Sequence, residues 1–215
     1  MKIRTVEQLY DYLSDELAWR KKELSSLRSM VEAANSAKSK QNVLLRCAIT
    51  LLYAHWEGFV KNSASAYLEF VSRLRLRYKD LSPNFIALGI RPMLENASKS
   101  NKVKAHIDVT EFFLKSLSSS SKILYENVVN TQSNLSSTVF REIIEMLGLD
   151  YSIYATKEKL IDEKLLHARN TIAHGNNLAI DYSEFIEIYE EFVAIMDLFR
   201  NQIDNSANLK LYRIG

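Results

Sequence analysis

Glycine and proline are scarce in this chain, which has only five Gly and two Pro in 215 residues. Average usage is several times higher. Because both residue types interrupt helices, their scarcity favours long, uninterrupted helices. A hydrophobic fraction of 47% and a charged fraction of 25% are typical of a globular chain long enough for one substantial core. We therefore expect an all-α helical bundle in which residues 1–215 form a single domain.

Apolar residues recur with helical spacing over most of the chain. The spacing predicts helices over residues 5–34, 41–78, 107–117, 137–147, 156–173 and 181–203, with a short element between Pro83 and Pro92. Gly148 is expected at the left-handed position after its helix. Asp181, with Glu184 three residues later, predicts a capping box at the start of the last helix.

The helix predicted over residues 41–78 has almost no polar face before residue 61. It is therefore expected to be the central, most buried helix, with Trp56 inside the core. Gly58 within it suggests that another helix approaches closely. Cys47, the single cysteine, is expected to be a small buried apolar residue, and a reactive thiol is the alternative.

In the middle of the chain, residues 99–136 are polar and rich in Ser and Asn, and they are expected to belong to an insertion of loops, short strands or turns, and one helix. His106 in this region is predicted to lie on the surface. Charge is uneven: residues 61–104 carry a net +6, and residues 181–200 carry −5. The basic stretch either attracts RNA phosphates or is a solvated region between helices.

Several classes of protein are disfavoured by what the sequence lacks. There is no signal-peptide pattern at the amino terminus, and Arg46, His55 and Glu57 break the longest apolar stretches below membrane-spanning length. A cytoplasmic protein without membrane contact is expected. No glycine-rich phosphate loop and no nucleophile on a tight turn is present. Four side chains are considered as metal ligands, namely Asp162, Glu163, His167 and His174. They offer only one histidine–carboxylate pair at helical spacing, so neither a metal nor another cofactor is expected.

Residues 169–175 contain the most distinctive chemistry of the chain. Arg169 supplies a permanent cation that can hold a phosphate by two parallel hydrogen bonds. His174 can transfer a proton near neutral pH, and Asn170 shares its helix face if the helix continues that far. The alternative is structural: Arg169 caps the carbonyls at the end of its helix, beside a histidine favoured there by the helix dipole.

Two polar residues, His55 and Glu57, interrupt the apolar central helix. Buried polar groups are normally hydrogen-bonded for structural reasons or belong to a functional site. For Glu57 both interpretations stay open, whereas for His55 the structural role is favoured.

Both regions resemble one known group of proteins. A penultimate helix ending in Arg169, Asn170 and His174, followed by a capped final helix, resembles the HEPN superfamily. The segment 53–61 is similar to the early core helix of its MAE and RiboL-PSP branches. The resemblance extends over most of the chain, but residues 80–136 match no part of it and are expected to be branch-specific.

The resemblance implies a metal-independent endoribonuclease that acts as a homodimer, with the motifs of two subunits facing one cleft. His174 would be the general acid or base, Arg169 would hold the scissile phosphate, and Asn170 would orient His174 or the phosphate. Cleavage would leave a 2′,3′-cyclic phosphate. Glu57, His55 and Thr171 are further candidates for a supporting role at the site.

The resemblance also implies a setting and two alternatives. Such proteins are common in prokaryotic toxin–antitoxin and anti-phage defence systems, where a co-encoded antitoxin or sensor would be a partner. Within the family, a domain that only binds RNA or a partner protein is the first alternative. A helical interaction subunit in which Arg169 and His174 are structural is the second.

Overall fold

Long helices dominate the computed structural model, which describes residues 2–214 and contains no β-strand in that range. The helices are α1 Val6–Ala33, α2 Lys38–Arg73, α3 Pro83–Lys99, α4 Val103–Glu111, α5 Ser137–Met146, α6 His167–Ala173 and α7 Tyr182–Asn208. Tighter 3₁₀ turns lie at Tyr78–Asp80 and Ser152–Lys157, and π-helical segments lie at Phe112–Ser116 and Leu160–Leu166. The expected all-α fold is confirmed.

Helix α2 lies at the centre of the bundle and packs against α1, α6 and α7. Trp56 is fully buried, with its ring 4.8 Å from that of Phe140 and 5.5 Å from that of Phe192. Burial of each such aromatic side chain stabilises the fold by roughly 2–3 kcal/mol. The sequence therefore identified the core helix correctly, although α2 begins at Lys38 and ends at Arg73.

Several helix boundaries differ from those expected. Pro92 does not bound a short element but lies inside α3, where it has no N–H to donate to the carbonyl of Leu88. The helix predicted over residues 107–117 begins at Val103 and turns π-helical from Phe112. Asp181 is the N-cap of α7, but its side chain makes no capping hydrogen bond, so the predicted capping box is absent.

Gly148 has the role expected of it, whereas Gly58 differs from the expected close approach of a helix. Gly148 follows α5 with φ +69°. At Gly58 the close approach comes from a side chain, because Arg20 Nη2 lies 3.2 Å from the point a Cβ would occupy. Arg20 is buried and donates to Glu16 Oε2 at 2.9 Å.

By length and composition alone, α2 is apolar enough to cross a membrane, contrary to the expectation that its apolar stretches fall short. Half of its most apolar stretch is buried inside the bundle. That burial is typical of the core helix of a globular domain.

Candidate functional site

Helix α6 ends within the motif, and its last turn fixes the position of His174. The His174 backbone N–H still donates to Asn170 O at 3.0 Å, so residues 170 and 174 lie one turn apart on the same side of the helix. Gly175 follows with φ +79°. Two further bonds, from Gly175 to Ile172 O and from Asn176 to Thr171 O, complete a Schellman motif.

The Arg169 side chain does not cap the end of its own helix. Its Nη1 donates to Asn170 Oδ1 at 2.7 Å and to Asn134 Oδ1 at 3.1 Å, and its Cζ lies 4.6 Å from the centroid of the Tyr53 ring. It makes no bond to the helix carbonyls, which the glycine cap already serves. Within residues 2–214, its Nε and Nη2 have no hydrogen-bond partner, so one edge of the guanidinium is available.

Tyr53 connects this guanidinium to the buried core. Its hydroxyl accepts a 2.6 Å hydrogen bond from Leu135 N. Burial raises the pKa of Tyr53 to about 12, and the negative charge of Glu57 also raises it, whereas the Leu135 N–H and the Arg169 charge act in the opposite direction. Tyr53 therefore stays a neutral phenol, and its ring gives Arg169 a cation–π platform.

A loop of the middle region, residues 130–135, lies against Tyr53, Glu57 and Arg169. Thr131 Oγ1 donates to Glu57 Oε1 at 2.5 Å, and Asn134 reaches Arg169. Gln132 and Ser133 have positive φ values of +53° and +62°, which non-glycine residues adopt infrequently. The loop is thus held in an unusual conformation by contacts to the motif and to α2.

His174 itself lies at the surface. Its side chain is exposed, and within residues 2–214 its ring has no hydrogen-bond partner. The loop that follows is fixed by Arg46 of α2, which donates to Asn177 Oδ1 at 3.1 Å and to Asn176 O at 3.0 Å. The imidazole is therefore accessible on a backbone that is anchored on both sides.

The three supporting residues have different positions. Glu57 faces the site, four residues after Tyr53 on the same face of α2. His55 lies on the other side of the helix, buried against α1, where its Nε2 is 3.1 Å from Glu23 Oε2 without hydrogen-bond alignment. Burial lowers the pKa of His55. Thr171 Oγ1 donates to His167 O within its own helix at 2.8 Å.

An apolar groove of about 680 Å³ adjoins the motif. It is lined mainly by one face of α2 and by Ile172 of α6; the α2 residues are Val43, Arg46, Cys47, Thr50, Leu51 and Ala54. Cys47 is exposed here, so the expectation that it is buried is wrong. The reason is that this face of α2 is covered by no other element of the described chain.

The residues considered as metal ligands do not form a metal-binding group in the described part of the chain. Asp162 accepts two hydrogen bonds from Ser137, one from its N–H at 2.7 Å and one from its hydroxyl at 2.5 Å. In the described part of the chain, no three His, Cys, Asp or Glu side chains are grouped as metal ligands.

Sequence reasoning missed Tyr53, Thr131 and Asn134 as members of the site. Tyr53 had a usable signal, because it precedes Glu57 by one helical turn. Thr131 and Asn134 had none, since they lie about 35 residues or more from their partners in the sequence and in a region without helical periodicity.

Comparison with known proteins identifies one family model that matches most of the chain. The chain matches no curated protein and no solved structure. A family model, RiboL-PSP-HEPN, matches residues 15–205, a range that includes α2, the middle region and the motif at the end of α6. This match spans most of the chain, and the chain belongs to the RiboL-PSP-HEPN family.

Proposed function

We propose that this protein is a metal-independent endoribonuclease that cleaves RNA through its ribose 2′-hydroxyl. Arg169 holds the scissile phosphate, His174 transfers the proton, and Asn170 keeps the guanidinium in place. The observation that carries the proposal is the Arg169 side chain. It is stacked on Tyr53 and held at Nη1 by two amides, and its Nε–Nη2 edge remains available for a phosphate.

The reaction needs one proton removed and one supplied. A base takes the proton of the 2′-hydroxyl, and the 2′-oxygen forms a bond to phosphorus. The bond from phosphorus to the 5′-oxygen breaks, and that oxygen receives a proton from an acid. The products are a 2′,3′-cyclic phosphate and a free 5′-hydroxyl. An imidazole can serve in either role near neutral pH, and Arg169 stabilises the charge that develops on the phosphate.

A homodimer supplies both proton-transfer groups. One chain brings a single motif histidine, whereas two chains facing each other bring an acid, a base and two cations. The apolar groove beside the motif supports this assembly, because a second copy would remove its exposed aliphatic side chains from water. Val43 is 60% exposed at the groove.

We further propose a role in a prokaryotic toxin–antitoxin or anti-phage defence system in the cytoplasm. An enzyme that cuts cellular RNA must be restrained, so a co-encoded antitoxin or a sensor protein is the expected partner. Wild-type expression is then expected to slow growth of the host, and a His174→Ala variant is expected to be tolerated.

A non-catalytic subunit that binds RNA or a partner protein is the alternative. One observation favours it: both hydrogen bonds of Arg169 go to other residues of the same chain, as in a structural residue. In that case the motif would organise the loop over residues 130–135, and His174 would be dispensable.

The deciding experiment measures cleavage of total RNA in EDTA by the wild type and by His174→Ala. Removal of a general acid or base is expected to lower the rate by about 10²–10⁴-fold. His106→Ala is the matched control, because His106 is also exposed and lies on α4. If His174→Ala keeps full activity, the catalytic proposal fails and the non-catalytic alternative replaces it.

A further inference from the structure

Three segments far apart in the sequence meet where α2 ends. They are residues 74–80 after α2, residues 115–122 in the middle region, and residues 209–214 after α7. We call their combined surface the basic end. Backbone hydrogen bonds hold the segments together, namely Ser121 N to Leu76 O at 2.7 Å, Tyr78 N to Ser119 O at 3.1 Å and Ile214 N to Asp80 O at 3.3 Å. Ser82, just after the first segment, also donates to Tyr212 O at 2.9 Å.

The basic end concentrates the positive charge of the protein. The three segments contain seven cations and one carboxylate, a formal charge of +6 in a chain whose total is +2. All seven cationic residues are exposed, and they are Arg75, Arg77, Lys79, Lys115, Lys122, Lys210 and Arg213. Without these segments, the rest of the molecule is net acidic.

Little of this charge is neutralised. Arg77 pairs with Asp80 at 2.8 Å, and Lys115 pairs with Glu111 at 2.8 Å. The other five cations form no ion pair with the described residues. Asp80 is the one carboxylate of the three segments. Its pKa is lowered chiefly by the Arg77 hydrogen bond, with further contributions from the charges of Lys79 and Arg213.

The cations that lie close together in the fold are not those that lie close together in the sequence. The basic stretch of the sequence, residues 61–104, is divided in the structure. Arg91 and Lys104 pair with Glu95 and Asp108 on α3 and α4. Arg75, Arg77 and Lys79 instead join cations from the two other segments.

The basic end is also remote from the motif. Tyr53 and Arg73 are separated by 20 residues of one continuous helix. At a rise of 1.5 Å per residue, this places the basic end about 30 Å from the guanidinium of Arg169.

We propose that the basic end binds the phosphate backbone of RNA, as a second contact about 30 Å from the cleavage motif. The identification of the bound polyanion as RNA rests on the proposed ribonuclease function. Its consequence is that the substrate is an RNA long enough to reach from the motif to the basic end, held there without sequence preference.

Phosphate backbones are contacted mostly by Arg and Lys together with serine hydroxyls. The basic end offers these groups, since Ser118 is exposed between its cations and its hydroxyl has no partner among the described residues. The hydroxyls of Ser119 and Ser120 instead donate to Ser116 O and Arg75 O.

An anionic membrane is the competing partner, because exposed apolar residues border the cations: Leu209, Leu211 and Ile214 in the carboxyl-terminal segment, and Phe113 and Leu114 directly before Lys115. RNA is favoured by the proposed ribonuclease function, and binding to anionic vesicles separates the two.

The test measures RNA binding in a His174→Ala background, so that the RNA stays intact. The probe is a fluorescein-labelled polyuridine of about 30 nucleotides, longer than a single-strand binding site usually is. The test variant adds Arg75→Asn, Lys79→Gln and Lys122→Gln. Asn is chosen at residue 75 because φ is +50° there, a value that Asn tolerates. The matched control removes three exposed cations elsewhere, by Lys22→Gln, Lys61→Gln and Lys159→Gln.

The test variant is expected to bind at least about tenfold more weakly at low salt, and its salt dependence should be shallower by about 2 on a log–log scale. The control should match its parent. If the triple variant is unstable, Lys122→Glu alone gives the same comparison. Unchanged affinity, or an equal loss in the control, would overturn the proposal.

Two further outcomes distinguish RNA binding at the basic end from the ribonuclease function and from membrane binding. Binding that depends on the basic end while the wild type cuts no RNA would leave this surface standing and refute the ribonuclease function. Binding to vesicles with anionic lipid that the test variant loses, with RNA affinity unchanged, would overturn the RNA assignment in favour of a membrane.

Discussion

The guanidinium of Arg169 lies over the ring of Tyr53, with 4.6 Å between Cζ and the ring centroid. This pair joins the two sequence regions that resemble the family, one on the central helix and one at the end of α6. The amide contacts of Nη1 to Asn134 and Asn170 leave the Nε–Nη2 edge of the guanidinium available. Stacking and the two amide contacts restrict the side chain before any substrate arrives, and such preorganisation makes an electrostatic contact effective in catalysis.

Arg169 is expected to be required for its shape as well as its charge. Arg169→Ala should lower RNA cleavage by at least about 10²-fold, because the developing charge on the phosphate loses its partner. Arg169→Lys should recover only part of this loss, since an ammonium cannot make two parallel hydrogen bonds or stack on Tyr53. Single-turnover cleavage rates measure both variants. Full activity of Arg169→Lys would show that only the charge matters.

The contacts around Arg169 predict a difference between two substitutions of Tyr53. Tyr53→Phe keeps the ring under the guanidinium and loses the hydroxyl that accepts from Leu135 N, so it should cost about 1–2 kcal/mol of stability with a smaller effect on cleavage. Tyr53→Leu removes the aromatic platform and should lower cleavage more. Asn134→Ala should act like Tyr53→Leu on the rate. Denaturant titrations and cleavage rates separate the effects, and equal rates for Phe and Leu would exclude a role for stacking.

Gly175 is expected to matter for the backbone that carries His174. Its φ is +79°, and nothing lies within 4 Å of the point a Cβ would occupy. Gly175→Ala should therefore destabilise the protein by about 1 kcal/mol through backbone strain alone. Gly175→Asn should cost less, because Asn tolerates this region. Thermal unfolding measures the order, and an Ala variant as stable as the wild type would contradict it.

Burial of His55 predicts acid sensitivity. Its pKa is lowered in the folded protein from the ordinary value of 6.5, chiefly by burial beside Arg20 and despite the nearby Glu23. Below about pH 6.5 the unfolded chain binds a proton that the folded chain does not, so stability falls as pH decreases. The slope from this one group is at most about 1.4 kcal/mol per pH unit. Urea unfolding of the wild type and of His55→Gln between about pH 7.5 and 5.5 tests it, and identical slopes would exclude His55 as the source.

The apolar groove predicts the consequence of a charge placed in it. Val43→Glu should convert a dimer to a monomer and lower cleavage, because a carboxylate would be buried against the second copy. Val103→Glu is the control, since Val103 is 71% exposed and lies on α4, outside the groove. Light scattering gives the oligomeric state. A wild-type monomer that cleaves RNA would refute the homodimer.

The features that were predicted correctly from the sequence depend on residues that are neighbours in the chain. Scarce Gly and Pro and regular apolar spacing predicted an all-α chain with Trp56 in its core. Gly148 was placed correctly because a left-handed cap follows from residue type. Arg169, Asn170 and His174 were found together because they lie within six residues of one another. These features depend on neighbours in the chain, so their pattern is visible in the sequence.

Tertiary packing decided the rest. Cys47 is exposed because a helix face is buried only if another element covers it, and the apolar pattern does not say which face is left open. His55 and Glu57, two residues apart, point to opposite sides of α2, towards α1 and towards the motif. Asn134 and Thr131 reach the site from a loop without periodicity. The basic end exists only because three distant segments meet, and long-range electrostatics depends on distances in space that separation along the chain does not define.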